Sequence, residues 1–221
     1  MLQNYLVIAL RNLKKHRAYA ALNVLGLGLS IACCALIFML VRHHFTFDNF
    51  HKNIGRAALI GTESRQEEVT KENNVPYPMG LALRQEYAFL EKTAMLSARD
   101  NSLITIALEG QAPVKFQEET ARAMVEPELF EIFDFPLVRG SLEDFRQPQT
   151  ALLTEKMARK YFGSTDAALN KSFKVNNRTD YRVVGVLRDL PQNTDLGTRS
   201  IFTSWATMTS DSTNGMVKNW G

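Results

Sequence analysis

Residues 18–41 read AYAALNVLGLGLSIACCALIFMLV, an unbroken run of 24 residues without a charged side chain; Asn23 and Ser30 are its only strongly polar members. At about 1.5 Å of rise per residue such a helix reaches roughly 36 Å, enough to cross a ~30 Å hydrocarbon core with some tilt. Gly26 and Gly28 would weaken a helix in water, but membrane helices carry glycine readily because it lets neighbours approach closely. The stretch therefore predicts a transmembrane helix rather than the buried helix of a soluble domain.

The flanks set its orientation. Arg11, Lys14, Lys15 and Arg17 precede the run with no acid among them, whereas only Arg42 and then Asp48 follow. The positive-inside rule places the N-terminus in the cytoplasm and residues 45–221 outside it. A cleaved signal peptide is the alternative, but the run is too long for an h-region and no small-x-small site closes it. Ser30-Ile31-Ala32-Cys33 lacks the leucine of a lipoprotein cleavage box three positions before its cysteine. The run stays as an anchor.

The formal net charge of +3 hides an asymmetry, because five of the 26 basic residues and none of the 23 acids lie before residue 45. The remainder balances 21 basic against 23 acidic residues, so the basic surplus reports topology and requires no nucleic-acid partner. Those roughly 177 outer residues suffice for a core of their own. The two cysteines, Cys33 and Cys34, are adjacent within the apolar run. Neighbours on a helix point about 100° apart and pair poorly, so they read as small polarisable packing residues or acylation sites. The outer part folds without disulfides.

Along the chain, Leu2, Leu6, Ala9, Leu10 and Leu13 fall at helical spacing opposite Gln3, Arg11, Lys14 and Lys15. This predicts an amphipathic helix over residues 1–17 on the cytoplasmic membrane face, or an extension of the span. Residues 42–56 form a stalk; if it is helical, His44, Asp48 and His51 share one face at i, i+4 and i+7, a spacing that suits a metal. No supporting carboxylate cluster accompanies them, and aromatic and histidine residues are common at a lipid–water boundary. No metal is assigned.

Residues 57–61 predict a short strand and residues 62–74 a polar loop. Pro78 suits the first turn of a helix with Met79, Leu83, Tyr87 and Leu90 on one face. Residues 103–108 and 114–117 predict strands around a Glu109-Gly110 turn. Pro127 opens a short helix carrying Leu129, Phe130, Ile132 and Phe133, and Phe135 and Leu137 extend the apolar cluster. Residues 151–153 predict a buried strand, followed by a helix over residues 155–162 with Thr154 as N-cap and Gly163 as its stop. Phe173 and Val175, a turn at Asn176-Asn177 and residues 181–187 predict a hairpin. Leu190-Pro191-Gln192-Asn193 turns the chain again before it ends at Trp220-Gly221. Short strands alternating with single helices predict an α+β fold for residues 57–221.

Taken in order, several of these stretches carry a family resemblance. They are Ala9 to Leu13 before the span, Phe47-Asp48-Asn49-Phe50-His51 after it, and Pro76-Tyr77-Pro78. Next come Phe130-Glu131-Ile132-Phe133-Asp134-Phe135-Pro136-Leu137-Val138-Arg139-Gly140, then Leu153-Thr154-Glu155 leading to Lys160-Tyr161-Phe162-Gly163. Val184-Gly185-Val186-Leu187-Arg188-Asp189-Leu190-Pro191 completes the series. The chain resembles the N-terminal part of an ABC-transporter permease of the MacB/FtsX type: first transmembrane helix plus MacB-like periplasmic core domain. That resemblance implies a four-span subunit of the bacterial inner membrane whose porter-like α+β domain lies outside the cytoplasm. It implies a homo- or heterodimer of permeases, a separate or fused ATP-binding subunit, and a periplasmic adaptor as a further partner. It also implies mechanical work rather than passage through a pore, in efflux of macrolides or peptides, lipoprotein release or activation of wall hydrolases.

This chain stops inside the outer domain and lacks spans two to four, so it is read as a fragment or truncated product with an incomplete core domain. Where the family favours Gly-Lys after the Tyr-Phe-Gly helix end, this chain has Asn170-Lys171, and asparagine also tolerates positive φ.

For function, no Gly-x-x-x-x-Gly-Lys-Ser/Thr loop is present, which leaves ATP to another chain or segment. An anchored enzyme would need a nucleophile with a base or a carboxylate pair. Glu67-Glu68 and Glu118-Glu119 read instead as solvated faces, and no catalytic, cofactor or metal residue is assigned. The candidate mechanical residues are Asp48, Phe50 and His51 in the stalk. The alternative function is the extracytoplasmic sensor domain of a membrane receptor.

Overall fold

The computed structural model describes residues 2–46, 48, 50–52, 54–65, 69–107, 110, 112–191 and 193–210, and divides into two compact units, residues 1–47 and 48–221. Phe47, Asn49, the pair Glu67-Glu68, the turn residue Glu109, Gln192 and the terminal Trp220-Gly221 lie outside the described residues.

In the first unit α1 (Leu2–Lys15) and α2 (Arg17–Phe45) are separated at His16, whose φ of −115° and ψ of 54° leave the helical range. The break falls within the cluster of Lys14, Lys15 and Arg17, just ahead of the apolar run. The side chains of Leu2, Leu6, Ala9, Leu10 and Leu13, on which the amphipathic reading rests, lie outside the described residues. α2 is long and apolar enough to cross a membrane, and none of its residues is buried in the protein. The Ser30 hydroxyl donates to the Gly26 carbonyl at 2.8 Å, an i−4 bond that satisfies this polar group within the helix itself. Helical structure runs past the apolar run to Phe45, and the Thr46 amide closes it on the Arg42 carbonyl at 3.0 Å.

The second unit follows the order β1 (Thr62–Arg65), β2 (Val69–Glu72), α3 (Met79–Glu86), β3 (Leu96–Arg99), β4 (Ser102–Ile106), β5 (Val114–Glu118) and β6 (Arg122–Val125). It continues with α4 (Leu129–Ile132), β7 (Leu137–Gly140), β8 (Thr150–Thr154), α5 (Glu155–Phe162), α6 (Thr165–Ala168), β9 (Ser172–Val175), β10 (Thr179–Leu187), β11 (Ile201–Ser204) and α7 (Ala206–Thr209). Among the described residues, nine strands form one mixed sheet in the order β3-β6-β11-β8-β10-β9-β4-β5, with β7 added alongside β10. The fold is α+β, as expected.

β10 is the spine of this sheet. It runs parallel to β8 on one edge and antiparallel to β9 and then β7 on the other. A bulge places Val183 opposite Ala151 and Gly185 opposite Leu152, leaving Val184 unpaired. The extra residue shifts the period-2 alternation. Val183 and Val186 enter one core, while Val184 and Leu187 enter the other. The first core takes Met157, Ala158 and Tyr161 of α5 and Ala168 of α6; the second takes Leu129 and Phe130 of α4 and the fully buried Phe145. Helices therefore cover both faces, and the buried β8 reads as a continuous apolar run. At the bulge Gly140 has φ 87°, and a Cβ there would lie 2.1 Å from the Val184 carbonyl oxygen, so only glycine allows β7 to close on β10.

Several local expectations hold. β4 and β5 pair with Ile104 opposite Phe116. Asn176 and Asn177 have φ of 51° and 55°, a left-handed pair at the centre of a tight turn closed by the Arg178 amide on the Val175 carbonyl at 3.0 Å. Asn170, at φ 60°, takes the positive-φ position where the family favours glycine. α5 spans the expected residues and stops at Gly163, φ 83°.

Other expectations fail. Residues 57–61 are not a strand; Leu59 is 76% exposed, and the strands lie in the segment read as a loop, where Thr62 pairs with Glu72. An apolar run becomes a strand only where a partner edge and a buried face await it, and these residues have neither. The Met79 face is cut short because α3 ends at Glu86. β11 was invisible in the sequence, yet it lies between β6 and β8 with all four residues buried.

Thr154 occupies the N-cap position of α5 without capping it. Its hydroxyl is buried with no hydrogen-bond partner among the described residues, and the Lys156 amide donates instead to Asp189 Oδ1 at 2.7 Å. A carboxylate more than thirty residues away thus does the work assigned to the neighbouring threonine. Asp189→Ala is expected to lower the stability of the membrane-extracted protein by about 1 kcal/mol. Thr154→Val, which removes an unsatisfied group at nearly constant volume, should leave it unchanged or raise it. Thermal unfolding of the two variants beside the parent reads both outcomes.

Candidate functional site

Asp48 opens the second unit with φ 55°, a left-handed conformation that aspartate adopts at little cost. The helical continuation needed to align His44, Asp48 and His51 on one face is therefore not formed. Among the described residues no group of three His, Cys, Asp or Glu side chains could hold a metal ion.

The candidate mechanical residues instead converge on the domain. The Asp48 amide donates to the Asn193 carbonyl at 3.0 Å, and the Asp48 carbonyl accepts from the His51 amide at 3.1 Å. Asp48 Oδ2 accepts from the Asp195 amide at 3.4 Å. The Lys52 amide donates to Asp134 Oδ2 at 2.8 Å, and the Asp134 amide donates to His51 Nδ1 at 3.0 Å. Asp134 thus grips the segment twice, through its side chain and its backbone.

The His51 side chain is 0% exposed. It stacks at a tilt on Phe50 with centroids 3.9 Å apart, and meets Phe133 and Phe135 edge-on at 4.9 and 5.0 Å. Because Nδ1 accepts a hydrogen bond it carries no proton, and the neutral ring bears its hydrogen on Nε2. That Nε2 has no hydrogen-bond partner among the described residues; Asp48 Oδ1 lies 3.8 Å away, beyond bonding reach. Burial pushes the imidazole below its ordinary pKa of 6.5, while the nearby Asp48 and then Asp134 carboxylates pull in the opposite direction.

The socket is rooted in the second core. α4 ends at Phe133, whose extended backbone (φ −109°, ψ 132°) turns Asp134 toward the docked segment. Phe135 packs on Phe130, which in turn meets Phe145 and Phe202 edge-on at 5.7 and 5.5 Å. Arg146 holds α4 from outside, donating to Glu128 Oε1 at 2.6 Å, Glu131 Oε1 at 3.0 Å and Glu143 Oε2 at 3.1 Å. These pairs are partly exposed, so each adds less than about 1 kcal/mol. The aromatic rings do the holding.

Two other buried polar groups fasten strands together. Glu118, read from sequence as solvated, is buried and accepts from the Tyr161 hydroxyl at 2.6 Å and the Lys160 ammonium at 2.5 Å, joining β5 to α5. Burial first, and Glu118 second, push the Tyr161 hydroxyl well above its ordinary range. Arg122 donates to Ser102 Oγ at 2.8 Å within the sheet. Neither group has a nucleophile–base geometry; both are cross-links.

The sequence pointed to Asp48, Phe50 and His51 but not to what receives them. Asp134, Asn193 and Asp195 were missed. An acid set between two aromatics, Phe133-Asp134-Phe135, was the available signal.

Residues 20–219 match the family model of the MacB-like periplasmic core domain. No curated protein matches significantly. Among solved structures, the chain is similar to the crystal structure of a domain described as part of a permease protein from Porphyromonas gingivalis. The two are 22% identical with a TM-score of 0.55, over 73% of this chain and 65% of that one. The chain thus spans just under two thirds of that structure, and the likeness speaks for the fold.

The rings around His51 make a sharp stability prediction. His51→Ala leaves a cavity among three aromatic side chains and should cost roughly 2–4 kcal/mol. Phe50→Ala, at a ring already 40% exposed, should cost clearly less. Thermal unfolding of both variants orders them.

Proposed function

The chain belongs to the family of the MacB-like periplasmic core domain, and from that membership we propose that it acts in a permease subunit of an ABC transporter. In this reading a cytoplasmic ATPase, carried on another chain or segment, drives motion that α2 transmits to the extracytoplasmic domain for export or mechanotransmission. The observation that carries it is the continuity of the family match, which runs unbroken from within the apolar helix through the sheet.

The basic residues before α2 and their scarcity after it support a cytoplasmic N-terminus and an outer domain in the periplasm. The domains of this reading are an amphipathic helix over residues 1–17, a span over 18–41, a stalk over 42–56 and the core domain over 57–221. Asp48, Phe50 and His51 serve as the mechanical joint. Their docking on Phe133-Asp134-Phe135 supports that role, since a rigid grip is what transmits displacement. No residue of this chain performs bond chemistry in the scheme. Partners are the ATP-binding subunit, a second permease and a periplasmic adaptor.

The experiment is to extract the full-length protein from membranes and ask whether an ABC ATPase co-purifies stoichiometrically. Co-purification is the expected result; recovery alone or with a signalling kinase would turn the reading to a sensor. In the intact complex, Asp48→Ala should preserve ATP hydrolysis and assembly while export falls. If export is unchanged, the joint has no mechanical role.

A further inference from the structure

We propose that His51 is a pH-operated latch: while Nδ1 is unprotonated it holds residues 48–52 on the Phe133-Asp134-Phe135 loop, and protonation releases them. Asp134 N–H donates to His51 Nδ1 at 3.0 Å, so the bond exists only while that nitrogen keeps its lone pair. An imidazolium carries hydrogen on both nitrogens, and two donors would then face each other.

The other nitrogen offers no relief. Nε2 has no acceptor within bonding distance among the described residues, and three aromatic rings crowd the side chain. A charged ring here would be unsolvated and without a hydrogen bond on either side.

The charged groups that face the ring are Asp48, at 3.8 Å from Nε2, and Asp134. Both favour the cation and limit how far burial can depress it. Both carboxylates are already engaged through Oδ2. Asp48 Oδ2 accepts from the Asp195 amide, its backbone is tied to Asn193, and Asp134 Oδ2 accepts from the Lys52 amide. No arginine or lysine side chain contacts the ring among the described residues.

The sign follows from linkage. The docked state prefers the neutral ring, so the released state takes up a proton first. Docking is therefore strongest above pH 6.5, weakens as pH falls, and levels off once the docked ring also titrates. A domain outside the cytoplasm meets the pH of its surroundings. The inference rests on the proposed extracytoplasmic placement for its use, but not for its test.

The test uses the full chain in lipid nanodiscs with nitrogen-labelled histidine, read between pH 7.5 and 5. His51 should show the Nε2–H tautomer and titrate below its ordinary 6.5. Amide exchange at Lys52 and Asp134, corrected for intrinsic chemistry, should accelerate by up to about tenfold per pH unit below 6.5. His51→Phe should abolish that dependence, and Asp48→Asn should leave its onset in place and move the levelling-off to lower pH. An Nδ1–H tautomer, titration at or above 6.5, or exchange that ignores pH would each overturn the latch. If His51→Phe does not fold, the parent and Asp48→Asn decide. Failure of Asp48→Ala to affect export, with titration normal, would sink the permease joint and leave the latch standing.

Discussion

β10 bonds neighbours along both edges and delivers side chains into two cores, and the second unit is arranged around it. The bulge at Val184 decides which of its residues enters which core. Without the extra residue, strict alternation would set Val186 on the same face as Val184, and Leu187 beneath α5 rather than beside Phe130 and Phe145. With it, Val183 and Val186 share one face and Val184 and Leu187 the other. The Gly140 closure on the same bulge then fixes β7, and β7 fixes the end of the loop that carries the His51 socket.

The cost of such a design is that stability must come from packing. Cys33 and Cys34 sit in α2 and are free, so nothing covalent ties the outer strands. Polar groups supply specific fastenings instead: the buried Glu118 between β5 and α5, and the exposed Asp189 on the N-terminus of α5 and Asp134 on the segment after α2. Breaking the buried Glu118 contact would leave the Tyr161 hydroxyl stranded, which costs more than the bond contributes. Such groups therefore select one arrangement of the elements as much as they stabilise it.

The docked segment packs into the same aromatic cluster as this core. His51 is anchored by rings that belong to the same aromatic cluster as Phe130 and Phe202, so displacement of residues 48–52 is felt by the second core. Well-packed interiors pass on strain rather than absorb it. In the latch proposed above, one titratable side chain in that contact makes the docking depend on pH.

The sequence by itself determined the membrane-length helix, the polarity of its flanks, the α+β class and the elements with strong local chemistry. α5 is legible because an amphipathic octet runs into Gly163, and the β9–β10 hairpin because two asparagines accept positive φ. These depend on interactions within a few residues, where identity and spacing carry the information. Tertiary structure alone decided the placement of β11 between β6 and β8, the capping of α5 by Asp189 rather than Thr154, and the seating of His51 on Asp134. In each case the partner lies far away along the chain. A hydrogen bond or a buried face has no local periodicity when its other half is brought in by the fold, so no window of sequence contains it.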